Sequence, residues 1–326
     1  MDRRTFVGSV AGGFVLWPLA ATAQRPGKMP VVGIINTGVG PRSLTVDTVR
    51  QGLHDLGYID GQTIVLEVRF AGGKPEAFPA LAADLVQRRV DVLLVSGPAA
   101  VRAARDATST IPIVALDLES DPVGAGFARS FARPGGNMTG CFLDQPGLTG
   151  KWLELIREAV PGTQRIAVLR DTSTGPWQLA AIKAAAEKLK IDLQLLEIRS
   201  PEELNHALEV VVKNGSQALV QLSSPLFDAP SAARTADLTA KYRLPAISMF
   251  RRFPDAGGLM SYGPSQLEYY KRLAIYIDKI LMGAKPAELP IEQPTKFELV
   301  INAKSAKALG ITIPKDMLLR ADEVIQ

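Results

Sequence analysis

Acid is concentrated where an apolar segment stops: PIVALD (112–117) runs straight into Asp117-Leu118-Glu119-Ser120-Asp121-Pro122. Acids just past a strand would satisfy a ligand ammonium; equally, Asp121 caps a helix starting near Val123 and leaves the other two acids facing solvent. Two later apolar runs end in the same manner, RIAVLRD in Asp171-Thr172-Ser173-Thr174-Gly175 and QALVQLSS in Ser223-Ser224-Pro225-Leu226-Phe227-Asp228. Their hydroxyls and carboxylates are of the kind that would complete a polar grip from an opposing side.

The stretch VLLVSGPAAVRAARDA (92–107) has the opposite charge preference. Gly97 stands where a helix cap is expected and Pro98 at the first helical position, where its missing N–H is no loss. The N–H groups of Ala99 and Ala100, with the Ser96 hydroxyl, are then placed to hold a carboxylate or carbonyl oxygen, the alternative being a helix start filled by water. Asn36 ends the first strand-like run, VVGIIN, and Thr37 follows it in the equivalent position. Trp177, Phe227, Phe250 and Tyr262 lie within or just after such loops, where aromatics either sandwich a ligand or pack two domains together.

Other chemistries find little footing. The chain has no G-x-S-x-G elbow and no Cys/His metal spacing, and Ala71-Gly72-Gly73-Lys74 lacks the Ser/Thr and preceding glycine of a phosphate loop. Its two histidines, His54 and His206, fall on expected helices away from strand ends and read as surface residues. The single cysteine, Cys141, sits in an apolar strand and reads as a small core hydrophobe. Carboxylates in a crevice keep acid–base catalysis alive as a rival, but the expectation is a binder with no catalytic residue, no metal and no cofactor.

What positions these residues is an alternation of strand-like and helix-like patterns. VVGIIN, TIVLEVRF, VDVLLVS, PIVALD and MTGCFL read as strands. Between them, Val46, Val49, Leu53 and Leu56 mark one helical face, and Phe78, Leu81, Ala82, Leu85 and Val86 another. The pattern restarts at RIAVLRD (165–171), with helices over 177–189, 201–213 and 230–242 separating DLQLLEI, QALVQLSS and PAISMF. Strands joined by helices in this rhythm give parallel sheets covered on both faces, so the fold class is α/β with two doubly wound lobes. Ligands of such sheets bind beyond the carboxyl ends of the strands, which is where the residues above lie.

GGLMSYG (257–263) and KPAELPIEQPTKFELVI read as returning crossovers, and the helix between them, with Tyr270, Leu273, Ala274, Ile277 and Leu281 on one face, would cap the first sheet. The expected division is an export signal over 1–23, a first lobe of 31–143 plus 263–284, and a second of 146–259 plus 291–326.

At 326 residues, with 47% hydrophobic and 21% charged, the chain is long enough for two cores. Its net charge of +4 is spread without a dense basic run or basic-aromatic motif, which argues against a nucleic-acid partner. MDRRTFVGSVAGGFVLWPLAATAQ has a basic start, a short apolar middle and an Ala21-Thr22-Ala23 exit, the form of a cleavable export signal. Arg3-Arg4 fits either a twin-arginine or an ordinary secretory route. Cys141 lies too far from that signal to bear a lipid, so the mature chain is expected in the periplasm, not embedded in a membrane, and monomeric.

RVDVLLVSGPAAVRAARDATSTIPIV, DPVGAGFARSFARPGGNMTG, GGLMSYGP and GAKPAELPIEQPTKFELVINAKSAKALGITIP follow one another along nearly the whole mature chain. In that order they resemble the ABC transporter substrate-binding protein family that includes the tryptophan-binding receptors. The resemblance implies a type I periplasmic binding protein: two α/β lobes joined by three crossovers that close over a small molecule, an amino acid or related small carboxylate, and present it to an ABC transporter permease. The family commonly carries glycine just before the Asp-Pro-Val-Gly motif, and this chain has Glu119-Ser120 there instead. A periplasmic sensing component is the alternative within the same fold. Binding would act by population shift, since only the closed form makes both sets of contacts.

Overall fold

Two parallel-dominated sheets, each built from strands with both faces apolar, divide the chain into two lobes. A computed structural model describes residues 29–37, 43–143, 145–227 and 231–326. The expected export signal lies outside the described residues.

The first lobe runs β1 (Val31–Asn36), α1 (Leu44–Asp55), β2 (Val65–Phe70), α2 (Phe78–Gln87), β3 (Val92–Ser96), α3 (Pro98–Ala107), β4 (Ile113–Asp117) and β5 (Met138–Phe142). Its sheet is parallel throughout, in the order β2-β1-β3-β4-β5. Alternation along each strand sorts the side chains: Val32, Ile34, Val92 and Leu94 face the core shared with the second lobe, whereas Leu93 and Val95 face α2 and α3.

The second lobe continues with α4 (Gln145–Ala159), β6 (Arg165–Asp171), α5 (Trp177–Leu189), β7 (Asp192–Ile198), α6 (Leu204–Lys213), β8 (Ala218–Gln221), α7 (Ser231–Lys241), β9 (Ala246–Ser248), α8 (Arg252–Asp255) and β10 (Met260–Pro264). Next, α9 (Gln266–Leu281) returns to the first lobe. Its Tyr270, Leu273, Ala274 and Ile277 are buried as expected, and Asp278 accepts the Tyr58 hydroxyl at 2.9 Å. The chain ends in β11 (Phe297–Asn302), α10 (Ala303–Leu309), α11 (Lys315–Arg320) and β12 (Glu323–Ile325). The second sheet is ordered β12-β11-β10-β9-β8-β6-β7, with β10 and β11 antiparallel.

Three sequence expectations need correction. Segments read as crossovers contain β10 and β11, because Met260–Pro264 and Phe297–Asn302 find partners in the second sheet; Gly263, expected in the first lobe, pairs with Glu298. Leu56, expected on the buried face of α1, is exposed because the helix stops one residue earlier. No helix starts near Val123; the residues form turns instead, and Phe127 N–H bonds Pro122 O at 2.8 Å.

The hinge is tied at β5. Glu292 exchanges backbone hydrogen bonds with its edge, Phe142 N–H to Glu292 O at 3.0 Å and Glu292 N–H to Gly140 O at 2.9 Å. Between those contacts Cys141 is buried, as a core residue would be, and burial pushes its thiol up to about 12. One hydrophobic cluster passes from Val32 and Ile34 through Leu118 and Leu143 to Val168 and Val220, so the lobes share a core on the hinge side.

Candidate functional site

The carboxyl ends of β3 and β4 face those of β6 and β8, and several loops meet there across the seam. Gly97 caps α3 with φ 84°, a conformation that favours glycine, and a Cβ on it would meet Pro225 Cγ of the second lobe at 3.1 Å. Pro98 opens the helix as expected, and its first internal bond is Val101 N–H to Gly97 O at 3.0 Å, so the preceding N–H groups of Ala99 and Ala100 have no intrahelical acceptor. On the same helix Arg102 donates to Ser173 O across the seam at 3.4 Å. Gly124 lies so close to Trp177 that a Cβ would meet the indole at 2.6 Å. Trp177 thus packs across the seam on Gly124.

Inside this rim is an acidic cluster. Asp117, 0% exposed at the end of β4, accepts the N–H groups of Glu119 at 3.0 Å and Ser120 at 2.9 Å through Oδ1. Its Oδ2 is buried and has no hydrogen-bond partner among the described residues. Glu119, 5% exposed, accepts the Ser223 hydroxyl of the other lobe at 2.5 Å. Asp171 Oδ2 accepts the hydroxyls of Ser173 at 2.7 Å and Ser224 at 2.5 Å. Gln178 fixes the serine loop, its amide nitrogen donating to Ser223 O at 2.8 Å and its amide oxygen accepting Ser223 N–H at 2.8 Å.

Electrostatics here favours an added cation. Burial, then the neighbouring charge of Asp117, pushes the Glu119 carboxyl up to about 8, with Asp171 adding to the rise and the Ser223 hydroxyl opposing it. Burial also raises Asp117, against the nearby Ser120 hydroxyl, the N–H groups of Glu119 and Ser120 and the charge of Arg102. An unpaired buried carboxylate oxygen is expensive, and pairing it with a positively charged donor removes that penalty. Among the described residues, no group of His, Cys, Asp and Glu is arranged to hold a metal ion.

The remaining expected residues fall around this centre in different ways. Asn36 is buried and donates to Ser43 at 2.8 Å, while Thr37 stands beside Gly97. Ser96 and Thr172 are half-buried at the ends of β3 and β6. Asp121 accepts Val123 N–H at 2.9 Å, closing a turn. Phe227 and Phe250 line a pocket with Gln221, Ser223, Ser224 and Ser248 at the ends of β8 and β9. Tyr262 is drawn away: its ring stacks on Phe297 at 5.7 Å, and its carbonyl accepts the Trp152 indole N–H at 2.7 Å. Asp228 lies outside the described residues.

Gln178, Gly124 and Arg102 were not among the expected site residues, and Glu119 was expected only as one acid of its loop, with solvent exposure as the alternative. Glu119 had a signal, its departure from the glycine that the resemblance implies. Arg102 and Gly124 acquire their roles only when the lobes meet, and Gln178 only when α5 packs against the loop after β8.

Comparison with known proteins agrees with this architecture. The model of the family described as ABC transporter substrate binding protein matches residues 32–325. A tyrosine-binding protein of Clostridioides difficile is 25% identical over 277 residues, covering 82% of this chain and 78% of that protein. The crystal structure of a conserved domain protein from Vibrio cholerae is 26% identical with a TM-score of 0.83, covering 91% of this chain and 100% of the other. An ABC domain in complex with L-Trp from Streptococcus pneumonia gives 24% and 0.82 over the same shares. The two-lobed α/β fold expected from the sequence is the fold observed.

Proposed function

Since the chain belongs to the ABC transporter substrate-binding protein family, we propose that it captures an amino acid between its lobes and hands it, chemically unaltered, to a membrane importer. The observation that carries this reading is the unpaired Asp117 Oδ2 beside Glu119 and Asp171 at the interlobe seam. An α-ammonium brings three N–H donors and one positive charge to that point. At an effective dielectric of about 20, a unit charge pair ~4 Å apart is worth about 4 kcal/mol, enough for one such contact to dominate recognition. The ligand carboxylate is suited to the start of α3 by Ser96 and Ala99, where the helix dipole favours an anion.

The relative that binds tyrosine supports an amino acid as the cargo, and the fold is one seen elsewhere holding L-Trp. The pocket by Phe227 and Phe250 offers its side chain aromatic rings beside the polar groups of Gln221, Ser223, Ser224 and Ser248. The basic, then apolar, then small-residue pattern of residues 1–23 supports export and, with it, capture in the periplasm.

Thermal unfolding of ligand-stripped protein tests this reading. At a concentration about 1,000 times Kd, a bound amino acid adds about 4 kcal/mol and raises Tm by several degrees. The N-acetylated form of the same compound, lacking the ammonium, leaves Tm unchanged. A panel of free amino acids that shifts nothing, or an N-acetyl derivative as effective as its parent, overturns the proposal.

A further inference from the structure

The buried acids must be neutralised whenever the lobes are shut, with or without a ligand. We propose that the seam at Glu119 is filled alternately by a proton and by the ligand's ammonium, so that an empty, closed, protonated form competes with capture. The inference rests on the amino-acid reading for the identity of the second occupant only.

The geometry supplies the reason. Glu119 is faced by Asp117 from its own strand end, by Asp171 from the end of β6, and by the Ser223 hydroxyl from the loop after β8. Among the described residues Arg102 bears on Asp117 and reaches across the seam to Ser173 O, and Arg252 lines the adjoining pocket with Ser223 and Ser224. Asp121, on the same loop, turns its Oδ1 to Val123 N–H instead. The three acids Asp117, Glu119 and Asp171 thus outnumber these two guanidinium groups, and Asp117 Oδ2 has no hydrogen-bond partner among the described residues. A proton on Glu119 removes the cost of burying its charge and its repulsion with Asp171 across the seam, both of which would otherwise oppose closure. When the ammonium enters, Glu119–COOH becomes carboxylate paired with R–NH3+, and the proton leaves to solvent.

The direction with pH follows. In the closed empty form the Glu119 carboxyl is raised to about 8 from its ordinary 4.5; in an open form, where water reaches the group and Asp171 withdraws, the carboxyl returns toward that ordinary value. Between those limits the closed form binds more protons than the open one, so closure without ligand is favoured at the acid end and lost as pH climbs through about 8. Where the empty closed form predominates, apparent affinity for an ammonium ligand weakens by up to about tenfold per pH unit on acidification.

Small-angle scattering of ligand-free protein at pH 6 and pH 9 tests the proposal without any ligand. The expected result is a compact particle at pH 6 that expands at pH 9, while Glu119→Gln, which is neutral at both, stays compact at both. Asp117→Asn, which removes the main neighbouring charge, moves the wild-type midpoint downward and serves if Glu119→Gln fails to fold. A radius of gyration that is the same at both pH values in the wild type, or a midpoint that Asp117→Asn leaves in place, overturns it. A pH-dependent closure in a protein that no amino acid stabilises would sustain this inference and sink the amino-acid reading; amino-acid binding with closure indifferent to pH would do the reverse.

Discussion

Asp117→Asn weakens amino-acid binding by about 30-fold or more and, in the same protein, raises the melting temperature of the ligand-free form. The two effects have opposite signs because the same oxygen serves both. The amide that replaces the carboxylate keeps an acceptor for the N–H groups of Glu119 and Ser120, so the loop after β4 holds its shape. What disappears is the negative charge on a buried oxygen that has no partner among the described residues, which relieves the empty site. For the loaded protein the loss is severe, since removing one partner of a buried charge pair costs about 2–5 kcal/mol. Calorimetric titration and thermal unfolding of the two proteins read both signs. Unchanged affinity would remove Asp117 from the site, and a lower ligand-free Tm would show that its charge is already compensated.

The second large effect comes from Gly124→Val. A Cβ at this position would sit 2.6 Å from Trp177 Cη2 and 2.8 Å from Asp121 Oδ2, closer than atoms can approach. Gly124 is exposed and in a turn, so within the first lobe the new side chain displaces only the end of the Asp121 carboxylate, whereas the Trp177 ring of the second lobe meets it directly as the lobes close. Affinity should fall by about 100-fold, on the order of 3 kcal/mol, because the ligand keeps only one lobe's contacts. Chemical unfolding should show nearly wild-type stability. Truncating the obstructing partner in Gly124→Val/Trp177→Ala should recover part of the lost affinity, a coupling that a remote structural defect would not produce. Wild-type affinity in Gly124→Val would mean that capture does not require this seam to close.

Much of this arrangement is legible in the amino-acid order alone. The strands RIAVLRD and DLQLLEI and the helices at 98–107 and 177–189 are bounded by strong local signals: apolar runs, Gly97-Pro98, and turn residues at each end. Strand β10 escapes such a reading because GGLMSYG is short and glycine-rich, and its place is decided by pairing with β11, Met260 against Ile301 and Pro264 against Phe297, a contact no local pattern encodes. Within the site, the fold rule locates the loops but cannot orient their side chains. Tyr262 follows the same rule as Ser223, yet Phe297 and Trp152 hold it at the hinge. Glu119 and Asp117 are equally compatible with solvent, and it is the arrival of Ser223 and Trp177 from the second lobe that closes over their loop.

The most direct measurement is a crystal structure of the protein with an amino acid bound. The ligand nitrogen is expected between the lobes, within about 3 Å of Asp117 Oδ2, with Glu119 or Asp171 as a second acceptor. An amino acid bound elsewhere, or bound in the seam with its nitrogen turned away from Asp117, would contradict the assignment.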